Sequence, residues 1–433
     1  MLKENEAILI RKYTVMPLKE VIEKSKELRQ DNKTLKLLEL IWQNPGIARR
    51  DIGTLAKLSR GTVTTNIAQL LDEGYVTEGE ALPENETRPG RSTTGLYLVP
   101  DFFYVIGVSF SLEQPKASLF DAAGHAVREI PLPIIKTIEN NFSTNLTILE
   151  HAVQELMSLV PHSRILIIGL SVAGIIDFDK GDVFYSAILD GCGSFNLKNY
   201  IRERFGIPCF LINVAHLFPV MEKRWGAAKE MDNFITLTDS CAAGFFLNGK
   251  LYRGWQKHAG ELTYMKVTED QETSADGRNG LLTFHIPFFL LEHRLAKMIE
   301  NGGHPKILQQ MKTPHDPITL EMVIRSIEQG DKFLEQLMAE RYEWHAEALL
   351  NTAYMLNPEA VLLEEWTARC PQCTVDVVER KMSSYGMSNW HLKTRVLSGK
   401  CSREMIPRAV AYLATETVFE EAENGDSENH DPS

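Results

Sequence analysis

A chain of 433 residues with 44% hydrophobic and 24% charged residues is long enough for two or three packed domains and too balanced for a disordered or fibrous protein. Six scattered cysteines argue against a disulfide scaffold, no apolar run is long enough to span a membrane, and Met1 to Lys12 lacks the apolar core of a secretory signal, so a cytoplasmic protein with no membrane partner is expected. The net charge of −12 is uneven: Glu420 to Asp431 holds six acids and no lysine or arginine, half of that total, and residues 422–433 read as an acidic disordered tail.

In chain order, residues 1–31 read as an irregular or helical extension without a clear message. The next stretch, 32–99, reads as a winged helix-turn-helix. Leu35, Leu38, Leu40 and Ile41 form an apolar stripe at helical spacing, and Asn44-Pro45-Gly46 ends that helix. Ile47, Ile52, Leu55 and Ala56 outline a second helix starting near Arg49. Leu58-Ser59 turns the chain, with Ser59 placed as an N-cap. A third helix runs from about Arg60 to Asp72, with Val63, Ile67, Leu70 and Leu71 inward. That order places the third helix in a DNA major groove. From Ile47 to Asn66 four bases (Arg49, Arg50, Lys57, Arg60) face one acid, Asp51, a local charge of +3 (4 − 1). Arg60, Gly61, Thr62, Thr64, Thr65 and Asn66 form the outward side, with short side chains suited to phosphates and base edges. Two β-like runs then flank a loop holding Arg88-Pro89-Gly90-Arg91. It reads as a wing whose Arg88 and Arg91 suit a narrow minor groove, or equally as a polar linker. The candidate DNA contacts are therefore Arg49, Arg50, Arg60, Thr62, Thr64, Thr65, Asn66, Arg88 and Arg91.

Residues 100–421 alternate strands and helices. Strands are expected at Phe103–Val108, Lys116–Asp121, Val127–Pro131, Ile165–Val172, Cys209–Ile212, Phe234–Leu237, Ala243–Leu247 and Ala360–Leu363. Helices are expected at Asn145–Val160, Ala215–Ala228 and Thr374–Lys381, and Asn248-Gly249 closes a hairpin. The class is α/β with short meanders, in two lobes.

With the helix-turn-helix in front, this body resembles the ROK family of repressors, open reading frames and sugar kinases, which has the actin-like ATPase fold. The resemblance covers about residues 32 to 420. It rests on Val105-Ile106-Gly107-Val108, on Ile168 to Asp177 with its turn at Gly174, on Ile212-Asn213-Val214-Ala215, and on Asn248 to Gly254 with Ala259-Gly260-Glu261-Leu262. Each piece is weak alone, and their order and spacing give them weight. The resemblance implies a sugar pocket containing Gly174, Asn213 and Glu261. Kinases of the family carry an aspartate where this chain has Val214, which cannot accept a proton. The first phosphate loop is reduced to Ser109-Phe110-Ser111. The second reads Thr238-Asp239-Ser240-Cys241-Ala242-Ala243-Gly244, where Asp239 is expected to repel phosphate. Glu364-Glu365 replaces a glycine pair near the nucleotide. The structural zinc set is also absent, with Tyr264 and Ser274-Ala275-Asp276-Gly277-Arg278-Asn279-Gly280 in its place and no thiolate. Thr283 replaces a sugar-contacting glutamate.

Cys370-Pro371-Gln372-Cys373 lies between a strand and a helix as redox motifs do, without their βαβ context or a second pair for zinc. The expectation is a cytoplasmic transcriptional regulator, a repressor of carbohydrate-metabolism genes. It would bind a double-stranded operator as a homodimer or tetramer and respond to a sugar or sugar derivative, with no catalytic residue, cofactor or metal. The alternatives are a sugar kinase with a displaced base and a ligand-independent DNA-binding dimer.

Overall fold

The computed structural model describes residues 18–27, 33–80, 94–111, 113–134, 141–193, 195–269, 277–301, 306–311, 313, 318–384, 386–387, 390–391 and 393–424. The chain divides into two compact units, Met1–Ile212 with Ile406–Ser433, and Asn213–Met405.

The first unit opens with α1 (Leu18–Glu27), α2 (Lys33–Gln43), β1 (Ile47–Ala48), α3 (Arg49–Ala56), α4 (Arg60–Asp72), β2 (Val76–Glu80) and β3 (Thr94–Leu98). The expected third helix is α4, residue for residue. The Ser59 hydroxyl accepts from Thr62 N at 3.2 Å, which satisfies one of the free amides of the first turn. Val63, Ile67 and Leu70 are buried, and Leu71 is half-buried. In the preceding helix Ile52 is buried but Leu55 is exposed, so the apolar stripe there is narrower than expected. Ile47 lies in strand β1, which pairs antiparallel with β3, and β3 pairs with β2 to form the base of the wing. The N-terminal extension is not without a role: Leu18 and Val21 of α1 are buried in the same core as Leu35, Leu38 and Ile41.

The unit continues with β4 (Tyr104–Phe110), β5 (Lys116–Asp121), β6 (Ala126–Pro131), α5 (Phe142–Met157), β7 (Ile165–Val172), β8 (Ile175–Ile176), β9 (Asp182–Tyr185), β10 (Phe195–Asn196), α6 (Leu197–Phe205) and β11 (Cys209–Asn213). The main sheet has the order β11-β7-β4-β5-β6, with β4 and β7 parallel; β7 is buried at every position and β4 at all but Tyr104. β8, β9 and β10 form a small antiparallel sheet that the sequence reading missed, because strands of two to four residues carry no legible alternation.

The second unit holds α7 (Val214–Arg224), β12 (Phe234–Leu237), β13 (Ala243–Leu247), β14 (Lys250–Tyr252), α8 (Phe288–Glu300), α9 (Leu320–Glu328), α10 (Lys332–Leu356), β15 (Ala360–Leu363), α11 (Val375–Ser384), β16 (Gly386–Met387), β17 (Trp390–His391) and β18 (Arg395–Ser398). Its sheet order is β14-β13-β12-β15-β18, with β12, β15 and β18 parallel. α7 stops earlier than the expected Ala228, because the Glu222 carboxylate turns back and accepts from Ala227 N at 2.7 Å.

The chain then returns to the first unit as α12 (Ile406–Asn424). Gly107 and Gly169 let this helix lie directly on β4 and β7. A Cβ at Gly107 would stand 1.9 Å from Pro407 O, and one at Gly169 2.9 Å from Val410 O. Further along α12, Tyr412 stacks on Trp42 of α2 with ring centroids 4.2 Å apart. α12 reaches Asn424 with Ala422 buried, so ordered structure extends past the expected boundary at residue 421. Residues 425–433 of the expected acidic tail lie outside the described residues.

Candidate functional site

On the DNA-facing candidates the structure is specific. Arg60, Thr64 and Thr65 are exposed on α4, and Thr62 and Asn66 are half-buried beside them. The Asn66 amide donates to Thr62 O at 2.8 Å and the Thr64 hydroxyl donates to Arg60 O at 2.9 Å, so both side chains lie along their own helix. Arg49 donates to Glu78 on β2 at 2.7 Å, and Arg50 donates to Asp51 at 3.0 Å. The local excess of positive charge is therefore smaller than the linear count of 47–66, because folding brings Glu78 onto Arg49. Arg88 and Arg91 lie outside the described residues.

The loop between β12 and β13 is the segment that the resemblance assigns as the second phosphate loop, and the backbone donors of Thr238, Asp239, Cys241 and Ala242 are used within the chain. Thr238 N donates to Ala242 O, Cys241 N to Thr238 O, Ala242 N to the Thr238 hydroxyl, and Asp239 N to the Glu364 carboxylate at 2.7 Å. Asp239 was expected to present a bare negative charge; this is corrected by Arg341 of α10. Its guanidinium donates to both Asp239 carboxylate oxygens, with Nη2 at 2.8 Å from Oδ2, and both side chains are buried. Burial raises the Asp239 pKa, and the charge and hydrogen bonds of Arg341 outweigh it, holding the carboxyl below the usual range. Glu364 is likewise neutralised by Arg403, whose Nε donates at 2.9 Å, while Glu365 is exposed. Sequence reasoning missed both arginines. A signal existed: Arg341 falls on the apolar stripe Leu334, Met338, Arg341, His345 of α10, and a buried arginine demands a partner.

Asn213 ends β11 and caps α7, its Oδ1 accepting from Ala215 N at 2.8 Å. One turn on, the His216 ring bonds Ala259 O at 2.9 Å as the neutral donor; burial lowers its pKa. Ala259 stands two residues before Glu261. Ala243 N donates to Gly260 O at 2.7 Å, and a Cβ on Gly260 would meet Ala243 O at 1.8 Å, so the segment is pinned to β13. Asn213 and Glu261 are thus tied to the same support. Glu261 is half-buried, burial raises its pKa, and its carboxylate has no partner among the described residues. Gly174 belongs to the first unit. Its φ of 147° and the approach of Tyr185 O, 2.3 Å from any Cβ, exclude a side chain.

The zinc position does not fit a metal. The Arg278 guanidinium lies over the Tyr264 ring at 5.3 Å, and Ser274, Ala275 and Asp276 are outside the described residues. Among the described residues no three His, Cys, Asp or Glu side chains are grouped to hold a metal ion. Thr283 lies half-buried in a single 3-10 turn. Cys370 and Cys373 are buried, and the Cys373 thiol donates to Cys370 O at 3.3 Å. Among the described residues no helix is long and apolar enough to cross a membrane.

The ROK family model matches residues 116–402, about two thirds of the chain. The chain belongs to the ROK family. A winged helix-turn-helix DNA-binding model matches residues 30–77. The chain is 24% identical over 341 residues to a xylose repressor of Caldicellulosiruptor bescii, covering 78% of this chain and 83% of that one. Among solved structures it is similar to a ROK family transcriptional regulator described as a homologue of the E. coli MLC protein, with TM-score 0.68, 16% identity, and coverage of 90% and 98%. It is also similar to a ROK family glucokinase from Streptomyces griseus solved with glucose and AMPPNP, with TM-score 0.60, 20% identity, and coverage of 72% and 99%. The expected fold, a winged helix-turn-helix joined to an α/β sugar-kinase-like body, holds. A ROK body is common to regulators and kinases, so it does not by itself separate the two.

Proposed function

We propose that this ROK protein is a cytoplasmic, DNA-binding transcriptional repressor of carbohydrate-metabolism genes and that it does not phosphorylate sugars. The winged helix, residues 32–99, would bind a palindromic operator as a dimer or tetramer. Within it, Arg49, Arg50, Arg60, Thr62, Thr64, Thr65 and Asn66, with Arg88 and Arg91 of the wing, are the proposed contacts. In the body, residues 100–421, Asn213 and Glu261 of the second unit are the proposed contacts for a sugar or sugar derivative, and the Gly174 turn of the first unit is a separate candidate. The similarity to a xylose repressor supports this reading and makes a pentose the first ligand to try.

One observation carries the non-kinase reading. In the loop that would receive phosphates the amides of Thr238, Asp239, Cys241 and Ala242 are spent on Ala242, Glu364 and Thr238, and the buried Asp239 carboxylate is held by Arg341. Phosphate binding by a loop needs backbone N–H groups aimed outward. Val214, at the start of α7, offers no base.

A thermal-shift screen of neutral sugars, amino sugars, sugar acids, sugar phosphates and magnesium-ATP, with Glu261→Ala as control, tests both halves. A sugar that raises the midpoint of the wild type but not of Glu261→Ala supports the effector site. A shift with magnesium-ATP contradicts the reading of the phosphate loop.

A further inference from the structure

The segment Arg253 to Glu261 forms a short clip. Ala259 N donates to Arg253 O at 2.9 Å, closing its base, and Lys257 N donates to Gly254 O at 3.3 Å inside it. Gly254 and Lys257 take positive φ of 77° and 64°, and a Cβ on Gly254 would stand 3.1 Å from Ala259 Cβ. The clip is therefore a defined shape, fixed at Ala259 and Gly260 by His216 and β13. At its outer end Trp255 is 91% exposed, the most exposed of the large apolar side chains among the described residues. Tyr252, just before the clip, is half in solvent at 52%. At its inner end stands Glu261 with its unpartnered, half-buried carboxylate.

An indole left in water on a closed, pinned loop is a binding surface waiting for an apolar face. A pyranose ring offers one: its axial C–H groups stack on an aromatic plane while its hydroxyls reach polar groups. Glu261 and Asn213 would grip one sugar ring by its hydroxyls. Trp255 precedes Glu261 by six positions on the same clip, with its indole in solvent rather than in the interior. It can instead cover a ring that projects out of the site.

We propose that Trp255 is the stacking face for the second ring of a disaccharide-sized effector, held at its first ring by Glu261 and Asn213. The inference rests on the effector reading given above. It also fits the replacements that the resemblance implies at Val214, Tyr264 and Thr283: where the usual sugar contacts are changed, a stacking contact outside the inner site supplies affinity of its own.

The test is isothermal titration of full-length protein with D-xylose, xylobiose, D-glucose and cellobiose, on wild type, Trp255→Ala, Trp255→Phe and Glu261→Gln. The expected result is a disaccharide bound about tenfold or more tighter than its own monosaccharide. Trp255→Ala should abolish that advantage, Trp255→Phe should keep part of it, and monosaccharide affinity should be unchanged. Equal affinities for one and two rings in the wild type, or equal losses for both in Trp255→Ala, would overturn the proposal. So would a Trp255→Ala protein with unaltered sugar binding but a changed sedimentation mass, which would make Trp255 a contact between copies of this chain. If none of the four sugars binds the wild type, the effector reading fails with it. If sugars bind and only Glu261→Gln weakens them, the effector reading stands and the role of Trp255 falls.

Discussion

Asp239 and Arg341 lie 102 residues apart in the chain and form a buried two-toothed ion pair that ties the β12–β13 loop to α10, with Nη2 at 2.8 Å from Oδ2. Removing one partner of such a pair leaves a charge in a dry interior. Arg341→Met is expected to destabilise the protein by about 3–5 kcal/mol, whereas the double change Asp239→Leu with Arg341→Met should recover most of that loss. Urea unfolding of the three proteins measures both numbers. Because the Asp239 pKa is depressed in the fold, its contribution is complete above the ordinary aspartate range and is lost as pH falls through the folded value. Wild type should therefore lose stability below about pH 4, and the double variant should lose less there.

DNA binding gives a second set of outcomes. Arg60→Ala removes an exposed cation from the first turn of α4, and operator affinity should fall with the salt slope reduced by about 1. Glu78→Gln should act the other way. It frees Arg49 from its 2.7 Å ion pair, so affinity for any duplex should rise and become steeper in salt. Fluorescence anisotropy across a salt series reads both. An unchanged slope in Glu78→Gln would mean that Arg49 points away from DNA.

How much of this was legible in the sequence follows from the range of each interaction. Helix α4 was exact from Arg60 to Asp72, because its cap, its stripe and its end all lie within fifteen residues. Strands β5, β7, β12, β13 and β15 were exact too, each a short apolar run between turn residues. The charges were misread wherever the partner is distant. Asp239 and Glu364 looked like bare acids until the fold placed Arg341 and Arg403 on them, and Arg49 looked free until the wing brought Glu78 to it. Leu18 and Val21 were passed over because two apolar residues do not make a stripe, yet both enter the core.

Glu261 gives a pH outcome. Burial raises its pKa, so it takes up a proton at a higher pH than a free glutamate. A protonated carboxyl loses acceptor capacity. Sugar affinity should therefore decline on acidification at a pH above the ordinary glutamate range, and Glu261→Gln should flatten that limb. Titration calorimetry between pH 4 and 8, roughly the range in which carboxylates and histidine change charge, is the check.

Close packing of α12 gives a stability outcome. In Gly107→Ala the new methyl would stand 1.9 Å from Pro407 O, a contact that only backbone movement can relieve. The variant should melt well below wild type. Since α12 also carries Tyr412 against Trp42, operator binding should weaken with it. A Gly107→Ala protein with wild-type melting would mean that α12 sits further from β4.

The most direct test of a sugar-responsive repressor is selection of duplex DNA from a random library by the full-length protein, followed by anisotropy of the selected duplex with and without saturating sugar. A palindromic duplex should be enriched, bound in the absence of sugar and released on adding one from the screen, with magnesium-ATP having no effect. Failure to enrich any duplex, or binding unmoved by every sugar that shifts the melting point, would contradict that reading.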